Sequence, residues 1–107
     1  MTGWGLGFVV LALLAGAGPE LDCARPAAAR SLVGRMMLSE IEGAEDIHRA
    51  AMWDAFGRCP AGPGRERCVA GEKRRFEADW QRQKAGIEAK YQRILEDFDE
   101  RCRATLT

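Results

Sequence analysis

The sequence lacks net charge, has little histidine and contains no close cysteine pair, and each shortage excludes a class of function. Lys plus Arg and Asp plus Glu each number 16 in 107 residues, so the formal net charge is zero. That balance argues against a nucleic-acid binder or a polybasic membrane-surface protein. The single histidine, His48, gives one Glu45-x-x-His48 pattern. Di-iron bundle sites repeat that pattern and add carboxylates from other helices. No Cys-x-x-Cys is present, which removes the usual dithiol redox motif. The four cysteines lie 36, 9 and 34 positions apart, unlike the two tight pairs of a structural zinc site. With no nucleophile–base set and no phosphate-binding loop, the sequence predicts a protein that is not an enzyme and carries no cofactor.

Charge is also missing from the first 17 residues. Leu6 to Leu14 is an apolar run, and Ala15-Gly16-Ala17 is a small-x-small cleavage pattern. The apolar stretch from Trp4 to Ala17 would be roughly 21 Å long as a helix, short of a bilayer core of about 30 Å. Residues 1–17 therefore read as a cleaved export signal. The expected location is periplasmic or secreted, with membrane attachment only if that segment is retained. Cleavage would leave 90 residues, a size at which a small core commonly needs covalent staples.

What is present is a helical pattern. Val69, Phe76, Trp80, Ile87, Tyr91, Ile94 and Phe98 fall on one stripe at 100° per residue, predicting a long helix from Cys68 to Cys102. Two eleven-residue series, Phe76–Ile87–Phe98 and Trp80–Tyr91–Cys102, keep the stripe straight. Upstream, Val33, Met37, Ile41, Ala44, His48, Ala51 and Ala55 share a second face. Here two alternatives stay open. A helix starts at Ser39 with the Ser39/Glu42 capping box, after a short extra helix at 26–38. Otherwise a longer helix runs from about Ala27 with a break between Gly34 and Ser39. Two prolines and two glycines between Cys59 and Cys68 mark a turn. The predicted organisation is a signal at 1–17, a partly helical segment at 18–38 and a helical hairpin at 39–104 with its turn at 59–68.

This all-α antiparallel hairpin selects the disulfides. Cys68 and Cys102 sit at opposite ends of a helix about 51 Å long, whereas a disulfide needs Cα atoms within roughly 7 Å. Cys59 is at the turn and is equally far from Cys102. Only the nested set survives: Cys59–Cys68 at the turn and Cys23–Cys102 at the open end. The matching register sets Trp80 opposite Ile47, Phe76 opposite Ala51 and Tyr91 opposite Met36. Residues 39–54 carry a net charge of −4 and their counterparts 73–88 carry +2.

Two stripes bury little surface, so pairing of two chains into a four-helix arrangement is expected. The leading functional expectation is a non-enzymatic interaction module with a protein partner of unknown identity. Trp53 and Phe56 near the turn, with Arg65 and Arg67, are its candidate contact residues. The alternative is a copper-type metal-binding or sensing protein. His48 and Met52 stand at i,i+4, and Met36 offers a further thioether; imidazole and thioether are donors that suit Cu(I).

Overall fold

The computed structural model describes residues 21–106, on which the predicted signal segment 1–17 does not fall. Two α-helices make up the described chain: α1, Pro26–Gly57, and α2, Arg65–Leu106. They form an antiparallel hairpin, with α1 packed along α2 in a single helix layer.

Entry into α1 is set by a turn and a proline. The Asp22 carboxylate accepts the Ala24 N–H at 2.9 Å, and the Asp22 carbonyl accepts the Arg25 N–H at 3.0 Å. Pro26 then occupies the first helical turn, where its missing N–H costs nothing and its fixed φ already suits a helix. The helix continues for 32 residues through both Gly34 and Ser39. No separate helix at 26–38 exists, no break occurs between Gly34 and Ser39, and the Ser39/Glu42 pair caps nothing. Tertiary burial explains this. Ala29 and Val33, the latter only 1% exposed, are pressed into the core just before Gly34. Burying a valine is worth about 1.5–3 kcal/mol, more than the roughly 1 kcal/mol cost of one glycine.

The exit from α1 and the entry to α2 are held by the backbone and one side chain. Arg58 and Cys59 donate their N–H groups to the carbonyls of Ala55 and Phe56. Gly62 has φ +123°, a conformation that demands glycine. The Arg65 guanidinium reaches back to donate to the Cys59 carbonyl at 2.6 Å. The 42-residue α2 then runs without interruption past Gly71 and Gly86.

The nested disulfides are as the spacing predicts. Cys23–Cys102 closes the open end, with Cα atoms 5.3 Å apart, and Cys59–Cys68 closes the turn at 5.9 Å. Their presence fits an oxidising compartment. No helix among the described residues is long and apolar enough to cross a membrane.

The core is concentrated at the two stapled ends. Ala29, Val33, Tyr91 and Phe98 are buried toward the open end, and Ala55, Phe56 and Cys59 at the turn. Between Gly34 and Asp54 of α1, and between Val69 and Lys90 of α2, no residue is buried. This waist shows Ile41, Ala44, His48 and Met52 from α1 and Phe76, Trp80 and Ile87 from α2, all half-buried.

The predicted register is right in level but wrong in facing residue at the waist. Ile47 is 74% exposed and Ala51 is also exposed. His48, one position along, packs on both Phe76 and Trp80. One position is a 100° rotation on a helix, so a small difference in level changes which side chain points across. Two ion pairs tie the helices together, Arg30–Asp99 at 2.5 Å and Lys90–Glu40 at 2.5 Å. Asp99 of α2 is thus engaged by α1. Other pairs run along a single helix, among them Arg49–Glu45 at 2.8 Å and the close Arg75–Glu72 and Arg82–Asp79 pairs.

Candidate functional site at the waist of the hairpin

The waist carries a shallow groove lined by Glu45, His48, Arg49 and Met52 of α1 and by Lys73, Glu77 and Trp80 of α2. Glu45, His48, Arg49 and Met52 fall within one turn on either side of His48, which explains how one helix face supplies all four. The His48 ring meets Phe76 edge-on, with centroids 5.3 Å apart, and tilts against Trp80 at 5.5 Å. The imidazole is therefore held by two aromatic rings from the opposite helix. Charge in the groove is mixed, and Glu45 is engaged by Arg49.

The candidate ligands separate into two groups. His48 and Met52 line the same groove. Met36 does not; it lies 12 residues before His48, about 18 Å along the helix. Among the described residues no three His, Cys, Asp or Glu side chains come together as a metal-binding group. Both cysteine pairs are oxidised, leaving no free thiol.

The candidate contact residues are also divided. Trp53 is 63% exposed, and its ring packs edge-on against Phe56 at 5.3 Å. Phe56 itself is buried, so it supports Trp53 from beneath. Arg65 is tied to the turn through the Cys59 carbonyl, whereas Arg67 is exposed on the outside of α2.

Ile47 defines the other face of the waist. It stands 100° round α1 from His48, on the side away from Glu45, Arg49 and Met52. Gly43 and Ala51, one turn before and after it, are both exposed. The result is a flat, small-residue strip with one protruding isoleucine.

Nearer the open end, Glu40, Lys90 and Tyr91 form a polar layer. The Lys90 ammonium, with the Tyr91 hydroxyl acting in the same direction, holds the Glu40 carboxyl below its ordinary value despite partial burial. Burial, then Glu40, pushes the Tyr91 hydroxyl up. Hydrogen bonding to Glu40 raises Lys90. At the end of the hairpin Arg30 lowers Asp99 in the same way.

Sequence reasoning missed the α2 side of the groove. Trp80 reads as one more member of the α2 stripe, and nothing in the spacing singles out Lys73 or Glu77. Only the register across the hairpin assigns them to His48, and no spacing within one helix contains that information. In comparisons with protein-family models, curated proteins and solved structures, no match to this chain was found.

Proposed function

We propose that this chain is a small exported, non-enzymatic binding module, periplasmic or secreted, whose waist docks a second copy of itself. One observation carries the reading: both ends of the hairpin are sealed by disulfides and buried residues, while Ile47 between them stands 74% exposed beside the exposed Gly43 and Ala51. An apolar side chain left in water by the single hairpin gains free energy when a second surface covers it.

The Ile47 face fits a second copy. Gly43 and Ala51 allow close helix approach, and Ile47 is a protruding apolar anchor. The waist is about 30 Å long and two helices wide, approaching the roughly 800 Å² per partner of a standard interface. Charge supports the same arrangement. The α1 waist at 39–54 is net −4 and the α2 waist at 73–88 is net +2. A two-fold pairing laying α1 of each copy across α2 of the other matches acid to base twice. The formal neutrality of the chain supports a protein partner over nucleic acid.

The test is native mass spectrometry with light scattering over a concentration series of the oxidised chain. A dimer that Ile47→Glu converts to monomer, with helix content unchanged, supports the reading. A chain that stays monomeric at about 100 μM, or a dimer indifferent to Ile47→Glu, overturns it.

A further inference from the structure

We propose that the groove formed by His48, Met52 and Trp80 is a binding site for a single monovalent soft metal ion, Cu(I). The inference is independent of self-association, because the groove lies on the side of α1 away from Ile47.

The donor set points to this ion. His48 and Met52 are one helical turn apart and line one groove, with about 5–6 Å between the Cβ atoms of such a pair. That spacing lets an imidazole nitrogen and a thioether sulfur converge on one atom. Thioether sulfur is a poor ligand for hard divalent ions and a good one for Cu(I), which accepts low coordination numbers. The hard alternative is weak here. No trio of His, Cys, Asp or Glu assembles among the described residues, and Glu45 is already held by Arg49 at 2.8 Å.

From α2 the groove is lined by Trp80 together with Lys73 and Glu77, and the Glu45 and Glu77 carboxylates offset the Arg49 and Lys73 cations. The Trp80 ring centroid is 5.5 Å from that of His48. An indole beside the ligand imidazole can attract a cation held there, and the contact strengthens where water is excluded. Phe76 fixes the imidazole from its other side at 5.3 Å. The ligand ring is thus oriented before the ion arrives, which lowers the ordering cost of binding. The ion is bound and released as Cu(I), so no electron transfer is involved.

The experiment is an anaerobic titration of the oxidised chain with the acetonitrile complex of Cu(I), using a chromogenic bidentate chelator as competitor. Native mass spectrometry reads the stoichiometry, and circular dichroism verifies the helices of each variant. One Cu(I) per chain is expected, with quenching of indole fluorescence that disappears in Trp80→Phe. His48→Phe keeps a ring between Phe76 and Trp80 but removes the nitrogen donors, and Met52→Leu keeps volume but removes the sulfur. Each should lower affinity by about 100-fold or more, and Trp80→Phe by about tenfold. Met36→Leu, outside the groove, should leave affinity unchanged. Failure to retain Cu(I), retention that survives His48→Phe, or an equal loss in Met36→Leu overturns the proposal.

Discussion

Glu40 of α1 and Lys90 of α2 meet at 2.5 Å across the hairpin, 50 residues apart in sequence. With Arg30–Asp99 nearer the open end, they give the stability of the fold a defined pH dependence. Lys90 and Arg30 lower the Glu40 and Asp99 carboxyls in the folded chain. As pH falls, the unfolded chain therefore takes up protons first. Stability from these pairs is present above the ordinary carboxylate range of about 4 and is lost below it. The thermal midpoint should fall between about pH 5 and pH 2.5. Glu40→Gln should start lower at neutral pH and show a flatter acid limb. Equal slopes in both proteins would deny the pair that role. On the alkaline side Tyr91 and Lys90 are raised, so the unfolded chain releases protons first. Stability should decline again above about pH 10.

The two disulfides should differ in what their loss releases. Cys23–Cys102 spans 79 residues of sequence and Cys59–Cys68 spans 9. By loop entropy they are worth about 4.5 and about 2.7 kcal/mol singly, and less than the sum together, since the inner bridge shortens the outer loop. Replacing Cys23 and Cys102 by serine should expose the amides around Ala29, Val33 and Phe98 to hydrogen exchange. The turn end should stay protected. Replacing Cys59 and Cys68 should loosen Ala55 and Phe56 instead. Uniform loss of protection in both variants would show the hairpin to be a single cooperative unit rather than one sealed separately at each end.

Those disulfides were legible because they depend on distance alone. Cysteines at opposite ends of a 50 Å helix cannot meet, and any hairpin with a Pro/Gly turn at 59–68 leaves one pairing. The facing of individual residues was not legible in the same way. Assigning Ile47 in place of His48 opposite Trp80 is an error of one position, yet it moves the site to another face. The length of α1 was hidden for a different reason. Gly34, Ser39 and Glu42 carry local stop and start signals, and burial of Ala29 and Val33 against α2 overrides them. Such signals are worth about 1 kcal/mol each and yield to tertiary packing.

Trp53 and Phe56 should separate when each is truncated. Trp53 is exposed and rests edge-on against Phe56, a contact of about 0.5–1.5 kcal/mol. Phe56 is buried at the turn, where truncation to alanine costs about 3 kcal/mol. Chemical denaturation should give Trp53→Ala a loss below 1.5 kcal/mol and Phe56→Ala roughly twice that or more. A Trp53→Ala loss as large as that of Phe56→Ala would mean that Trp53 is covered in solution, which would place the docking surface at the turn instead of the waist.

Gly43 offers the sharpest separation between the stability of the single hairpin and its self-association. In the isolated chain a Cβ at Gly43 meets nothing within 4 Å. Alanine there should stabilise α1 by up to about 1 kcal/mol through helix propensity. Gly34 and Gly86, which are equally open, should respond alike. Gly62, with φ +123°, should respond in the opposite direction. The Ile47 face requires more of Gly43. If a second helix lies against it, the added methyl intrudes on the contact and weakens pairing. Gly43→Ala should therefore raise the thermal midpoint of the dilute protein while shifting the monomer–dimer midpoint to higher concentration. Gly34→Ala should raise the first and leave the second unchanged. Identical behaviour of the two variants in light scattering would remove Gly43, and with it the Ile47 face, from the interface.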